Sequence, residues 1–173
     1  MESEKLLKHM AWANEEILSR VSKMPDKALN SYTTNSDWPV KVIISHIVTS
    51  AYFYGLRLQT VTLEDMARVE KLRQEALSKK ATLETISDLQ PLIDSLKLSD
   101  AVLLKESYKP EGEVLREVDG KLVRRARSTI IFQSVHHATE HRAQLVEALN
   151  AGGFTGINLD DFDLWAYGDK FGE

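Results

Sequence analysis

The chain contains 173 residues, 43% of them apolar and 28% charged, as expected of one globular domain spanning residues 1–173. Its 22 basic and 26 acidic residues give a net charge of −4, which disfavours the phosphate neutralisation that nucleic-acid binding requires. The chain has no cysteine, so disulfide bonds, thiolate zinc sites and a cysteine nucleophile are excluded.

The N-terminal segment is charged and periodic, and it does not resemble a signal peptide. No apolar run approaches the ~20 residues that a membrane-spanning helix needs. We therefore expect a cytoplasmic protein that does not associate with membranes.

Two long helices are predicted in the first third of the chain. The first spans about residues 3–23, and its apolar stripe consists of Leu6, Met10, Ala13, Ile17 and Val21. A segment rich in serine, threonine and asparagine follows. A second helix is then predicted over about residues 38–59, with Asp37 as its N-cap and Pro39 in its first turn.

The middle of the chain is less regular. Residues 63–80 are densely charged and have weak apolar spacing, which is compatible with a short exposed helix or with a long crossover connection. A third long helix is predicted over about 88–107, with a stripe of Leu89, Ile93, Leu96 and Leu103. Asp119-Gly120 can adopt positive φ between two apolar runs, so residues 109–127 should contain a two-stranded hairpin.

The last long helix should be capped by Ser128 or Thr129 and should end at Gly152-Gly153. Its stripe consists of Ile130, Ser134, His137, His141, Leu145 and Ala148. The tail from residue 154 is interpreted as a loop that packs its aromatic side chains on the bundle.

These elements predict an all-α fold, a four-helix bundle with a small β-hairpin before the last helix. Its long crossover connections are expected at about residues 60–85 and 108–127. No internal repeat, linker or low-complexity tract interrupts the chain.

His137 and His141 are the strongest chemical feature of the sequence. Residues four apart stack on one face of a helix, and two imidazoles at this spacing can bind one metal ion. Both histidines lie on the predicted apolar stripe and should therefore point into the bundle. A polar group in that position needs a partner.

His46 supplies a third candidate ligand. It lies on the predicted buried face of the second helix, with Ile43, Ser50 and Phe53. A single inward histidine is often an ordinary core residue, but three of them on two helices can hold an ion and leave a coordination position open. We predict that a divalent metal ion binds to His46, His137 and His141. His136 and His9 are expected to be packing or surface residues.

The last helix also carries a family motif. His137 and the run HRAQ at residues 141–144 resemble the DinB (damage-inducible) and YfiT-like family of proposed metal-dependent enzymes, whose pattern is close to H-x3-H-x3-H-R-G-Q. Gln133 stands at the first histidine of that pattern, and Ala143 stands at its glycine.

The resemblance extends over nearly the whole chain. His46 matches the family's histidine in the second helix, Trp38-Pro39 before it is typical, and so is MAWANEEIL at residues 10–18. The resemblance implies a four-helix bundle, a nickel- or zinc-type ion on the three histidines and frequent homodimers. It also implies a small-molecule substrate, because some relatives are transferases or isomerases that use a low-molecular-weight thiol.

Two classes of function follow. The first is a metal-dependent enzyme, a thiol S-transferase or a hydrolase of small molecules, in which the ion lowers the pKa of bound water or of a thiol. The second is a non-enzymatic stress-response protein with a structural or ligand-binding metal site, which a fourth protein ligand would favour. Imidazole ligands alone suit zinc, nickel, copper or iron. Polar residues that could assist the site are Glu140, Gln144, Ser134 and Asn14.

A third interpretation comes from residues 137–141, which match the H-x-x-E-H signature of inverted zincin peptidases. Such an enzyme needs a distant acidic ligand, for which the tail offers Glu147, Asp160, Asp161 and Asp163. The size of the chain and the bundle pattern leave little room for a peptide cleft.

Overall fold

The computed structural model describes residues 2–78 and 82–172. In chain order its elements are α1 (Glu2–Val21), α2 (Val40–Arg57), α3 (Leu63–Ser78), α4 (Leu89–Ser107), β1 (Glu113–Val118), β2 (Lys121–Ala126), α5 (Arg127–Ala151) and α6 (Leu164–Phe171). The predicted all-α bundle, with a hairpin before the last long helix, is confirmed. Within the described ranges, no helix has both the length and the apolar character needed to cross a bilayer.

The four long helices enclose an apolar interior. Helices α1 and α2 each pack against both α4 and α5. Apolar residues at helical spacing turn inward, and each large side chain that becomes fully buried contributes about 1.5 to 3 kcal/mol of hydrophobic free energy. At the start of α1 the fully buried residue is Leu7, whereas the predicted Leu6 is only half-buried.

Helix α2 starts without the predicted side-chain cap. Pro39 occupies its N-cap position with an extended backbone, and its carbonyl accepts hydrogen bonds from the N–H groups of Val42 and Ile43 at 2.9 and 3.0 Å. The prediction that Asp37 caps this helix was wrong. The first N–H groups are satisfied by the Pro39 carbonyl, while the N–H of Asp37 donates to the Asn35 side chain in the preceding turn.

Helix α5 begins at Arg127, ahead of the predicted caps Ser128 and Thr129. The guanidinium of Arg127 is buried and fixes this start, because it donates to the carbonyl of Leu58 at 2.6 Å and to both the carbonyl and the carboxylate of Glu106 at 2.9 Å. A capping side chain at the helix start is not needed when a buried ion pair with another helix holds the first residue. Arg127 thereby joins the ends of α2 and α4 to the start of α5.

The first crossover contains a real helix. The charged segment at 63–80, which the sequence left open between helix and connection, forms α3, and none of its described residues is buried. Helix α3 lies over α2 and β1. The last two residues of the predicted segment, Lys79 and Lys80, are outside the described residues.

The second crossover contains the predicted hairpin, whose strands pair antiparallel. Its turn residues Asp119 and Gly120 adopt φ of 51° and 73°, the left-handed conformation that this residue pair tolerates. The hairpin is attached to the end of α2, because the N–H of Leu115 donates to the Thr60 carbonyl at 2.7 Å and the Thr60 hydroxyl donates back at 2.8 Å.

The tail is more regular than predicted. The prediction of a loop was wrong for α6, whose first turn is capped by the Asp163 carboxylate, accepting from the Ala166 N–H at 2.8 Å. One capping residue is a weak sequence signal for a helix of only eight residues, so the sequence did not reveal α6. The expected aromatic packing is present, because Phe162 and Tyr167 are buried and their rings contact Trp12.

The end of α5 is in close contact with the segment that leads into α2. Helix α5 ends at Gly152-Gly153 as predicted, and Gly153 has a φ of 85°. A methyl group on Gly152 would lie 2.0 Å from the hydroxyl oxygen of Ser31, so only glycine fits this approach. The carbonyl of Ser31 in turn accepts a hydrogen bond from Val40, the first residue of α2, at 2.9 Å.

A buried polar network crosses the bundle next to its apolar core. Asn14 of α1 donates to Asp100 of α4 at 3.1 Å and accepts from Arg142 of α5 at 2.8 Å. Among the described residues, the other carboxylate oxygen of Asp100 has no hydrogen-bond partner. Burial raises the pKa of Asp100 to about 7, despite the opposing effects of Asn14 and Arg142.

We predict a pH-dependent stability that arises from Asp100. Its carboxyl binds a proton more tightly in the folded than in the unfolded chain, so the free energy of unfolding should fall as pH rises from about 4 through about 7. Asp100→Asn should remove this pH dependence. Between about pH 5 and 8, its free energy of unfolding should exceed that of the parent protein by at least about 1 kcal/mol. Urea unfolding of metal-free protein measures it.

Asp94→Asn serves as the matched control, because Asp94 is an exposed carboxylate on the same helix. It should keep the slope of the parent protein. If Asp100→Asn and Asp94→Asn show the same pH dependence, Asp100 is ionised in the fold and the assignment fails.

Candidate metal centre

The structure brings the three predicted histidines together between α2 and α5. The Nε2 atoms of His46 and His137 are 3.0 Å apart, and those of His141 and His137 are 3.1 Å apart. One nitrogen of each ring lies within 4.8 Å of the corresponding atoms of the other two. The three side chains are half-buried, so each ring remains partly accessible to solvent.

The spacing of these nitrogens fits a single ion. Imidazole nitrogens bind zinc at ~2.0–2.1 Å, which places two ligands of one ion at roughly 2.9–3.4 Å from each other. The observed separations of 3.0 and 3.1 Å lie in that range. The three rings can therefore hold a divalent ion, although metal binding by these residues stays a prediction.

Gln144 and Trp38 orient the ring of His141. The indole N–H of Trp38 can only donate, so the atom of Gln144 at 3.1 Å from it must be the side-chain oxygen. The same oxygen lies 2.8 Å from Nδ1 of His141, which must therefore donate. A neutral His141 consequently presents the lone pair of Nε2 to the cluster. Such partners behind a ligand fix its tautomer and orientation.

His137 lies at the centre of the cluster and is held in its neutral form. Burial, followed by the charges of His141 and His46, lowers the pKa of His137 to about 4. The ring of Tyr54 packs edge-on against His137, with centroids 5.5 Å apart. A neutral imidazole at pH 7 is the form that a metal ion requires.

The other histidines lie away from the cluster. His136 is exposed and its Nδ1 lies 3.2 Å from the carboxylate of Glu140, so both point away from the three rings. His9 is buried, and its Nε2 donates to the carbonyl of Phe162 at 2.7 Å, which joins α1 to the tail. The peptidase interpretation requires Glu140 beside the metal ion, but the Glu140 carboxylate points to His136 instead.

Two further polar candidates have other partners. The hydroxyl of Ser134 is buried and donates to the carbonyl of Ile131 at 2.7 Å. Asn14 belongs to the network of Asp100 and Arg142. Of the four residues proposed to assist the site, Gln144 forms a side-chain hydrogen bond to one of the three imidazoles.

Three neighbours of the cluster were not assigned to it from the sequence, although Ser50 was placed on the face of His46 and Trp38 was matched to the family. Trp38 packs its ring 5.3 Å from that of His46, Tyr54 packs against His137, and the Ser50 hydroxyl lies 3.5 Å from Nε2 of His46. The residues at 46, 50 and 54 follow a spacing of four along α2. That spacing could have identified Ser50 and Tyr54, whereas the position of Trp38 depends on the loop before the helix.

Comparison with known proteins identifies the family of the chain. The sequence model of the DinB family matches residues 1–169. The chain belongs to the DinB family. It is similar to the curated Protein DinB of Bacillus subtilis (strain 168), with 26% identity over 165 residues that cover 90% of this chain and 89% of the relative. No solved structure matches the chain.

Helix α5 differs from the DinB family pattern at two positions, Gln133 and Ala143. Gln133, at the first histidine of the family pattern, forms a hydrogen bond with Tyr54. It thereby contacts the ring that packs on His137. Ala143 replaces the glycine of the pattern and is half-buried on α5. The three imidazoles converge in this chain with Gln133 and Ala143 at these positions.

We predict that replacing His46, His137 or His141 with alanine lowers bound metal from about one ion per chain to a small fraction. Each substitution removes one of the three converging nitrogens. Metal analysis of the purified variants by mass spectrometry provides the measurement. His136→Ala is the matched control, since its ring lies on the same helix and points away. Equal metal loss in His136→Ala would contradict the assignment.

We also predict that metal stabilises the fold in a pH-dependent manner. An ion at a hundredfold excess over its Kd contributes about 3 kcal/mol when it binds the native state alone, so a chelator should lower the Tm by several degrees at about pH 7.5. Metal-bound imidazoles are unprotonated, so protons compete with the ion and its contribution is lost as pH falls below the ordinary imidazole value of ~6.5. The lowered pKa of His137, about 4, means that this ring is lost to protons only at lower pH.

The measurement is a pair of thermal melts, with and without chelator, at about pH 7.5 and about pH 5. The apo bundle should still fold, because its apolar interior does not depend on the ion. A chelator effect that is absent at the higher pH, or undiminished at the lower one, would contradict binding at the three histidines.

Proposed function

We propose that this DinB-family protein is a metal-dependent enzyme that joins a low-molecular-weight thiol, through its sulfur, to a small electrophilic substrate. The ion that we propose is zinc or nickel. We also propose a homodimer, as the family resemblance implies, and a cytoplasmic location. The hydrolysis of a small molecule at the same site is the nearest alternative reaction.

The observation that carries the proposal is the number of ligands. Across residues 2–78 and 82–172, the cluster consists of three histidines, and no fourth histidine or carboxylate joins it. Structural zinc sites are usually closed by four protein ligands, whereas catalytic sites have three and keep a position open. The half-exposed rings of His46, His137 and His141 support access from solvent.

A divalent ion at this position would act as a Lewis acid and lower the pKa of a bound thiol or water. The protein itself orients the candidate ligands and offers contacts to the substrate. Gln144 holds His141 in the tautomer that offers Nε2, and burial keeps His137 neutral. The rings of Trp38 and Tyr54 flank the cluster on either side and offer apolar surfaces for the body of a substrate.

The test is a displacement reaction with a chromogenic electrophile. Zinc- or nickel-loaded protein is mixed with cysteine or glutathione and 1-chloro-2,4-dinitrobenzene. The thiol sulfur forms a bond to the ring carbon, chloride leaves, and the thiol proton passes to the buffer. We expect a metal-dependent rate that falls at least ~100-fold in His137→Ala, since a Lewis acid supplies several kcal/mol.

His136→Ala should retain the full rate, because His136 lies outside the cluster. Release of nitrophenol from 4-nitrophenyl acetate tests the hydrolytic alternative with the same three proteins. If the protein binds one ion and catalyses neither reaction, the non-enzymatic interpretation with a structural or ligand-binding metal replaces this proposal.

A further inference from the structure

A second concave site lies away from the three histidines, between α2, α3 and β1. Its volume is about 640 Å³, within the range of ~300–1,000 Å³ that is typical of small-molecule pockets. Its apolar wall is formed by Phe53, Leu56, Leu63, Met66 and Leu115. Three arginines, Arg57, Arg73 and Arg116, line the same groove.

Arg57 is the unusual member of this group. Its side chain is half-buried, and within the described part of the chain its guanidinium has neither an ion pair nor a hydrogen bond. Burial lowers the pKa of Arg57, and the neighbouring charge of Arg116 lowers it further. A partly desolvated cation beside a second cation is unfavourable unless an anion compensates both.

The carboxylates of the groove do not provide that compensation. Glu70 lies 3.4 Å from Arg73, whose guanidinium also lies over the ring of Phe53 at 5.3 Å. Glu117 is exposed at the rim. The charges that act on Arg57 at neutral pH are those of Arg116 and Arg73, which both lower its pKa, and no described carboxylate opposes them. Positive charge from Arg57 and Arg116 therefore remains at one end of an apolar groove.

We propose that this groove binds a small organic carboxylate with an apolar body. The guanidinium of Arg57 presents paired N–H donors that match the two oxygens of a carboxylate, and Arg116 adds a second positive charge. The apolar body lies against Phe53, Leu56 and Leu115. Unpaired cations beside apolar walls favour an organic anion over an inorganic one.

The groove is a separate site from the metal centre. Arg57 follows His46 by eleven residues on α2, which corresponds to ~16 Å along the helix axis. None of the three histidines lines the groove. The inference therefore goes beyond the proposed thiol chemistry and does not depend on it.

Helix α3 forms the outer wall of this groove. None of its described residues is buried, and Leu63 remains largely exposed. Elements with few buried apolar contacts open readily and exchange their amide hydrogens fast. An apolar ligand against Leu63 and Met66 would bury both side chains, so binding should slow hydrogen exchange in α3.

The experiment measures binding of decanoate to the full chain by titration calorimetry, in the presence of a chelator so that the carboxylate cannot bind to a metal ion. Decanol is the neutral probe of the same length. Arg57→Met removes the charge and keeps the apolar stem, and it should weaken decanoate binding at least ~10-fold, as expected for loss of charged hydrogen bonds. Arg125→Met is the matched control on the hairpin, outside the groove.

Arg125→Met should bind decanoate within about twofold of the parent protein, because it removes charge without touching the groove. Decanoate, but not decanol, should slow hydrogen exchange in α3. Unchanged affinity in Arg57→Met, equal binding of decanol, or no protection of α3 would each overturn the proposal. If Arg57→Met does not fold, Arg116→Met on the exposed face of β1 decides by the same criteria.

Discussion

The convergence of three imidazole nitrogens across two helices is the contact on which the candidate metal centre depends. A cation bound between them would be attracted to the lone pairs of neutral rings. His46 lies level with His137 and His141, and this register of α2 along α5 brings the Nε2 atoms together. The oxygen shared by Trp38 and His141 extends the constraint to the loop before α2.

The opposite end of the bundle is held by a different kind of contact. There the guanidinium of Arg127 binds the carbonyl of Leu58, directly after α2, and the carboxylate of Glu106, while Thr60 and Leu115 join the hairpin to the end of α2 by two hydrogen bonds. Breaking one partner of such a buried pair leaves a charge without compensation. Helices α2 and α5 are thus joined at this end of the bundle as well as at the three histidines of the candidate metal centre.

Local patterns could predict much of this structure, and tertiary contacts account for what they missed. Apolar periodicity identified the long helices, and Asp119-Gly120 identified the hairpin, because both signals act within a few residues. The start of α5 was misplaced because Arg127 is held by groups some 20 to 70 residues away. The spacing of His137 and His141 predicted their shared face, but no local signal could place Trp38 beside them.

Close approach between α5 and the segment before α2 has a consequence for the metal centre. Gly152 meets Ser31 where no side-chain atom fits, and Ser31 in turn holds the first turn of α2. The packing of Gly152 on Ser31 thus limits the distance between the two helices that carry the candidate ligands, three turns of α5 beyond His141. A bulkier residue at Gly152 would separate these helices and spread the three imidazoles without touching any of them.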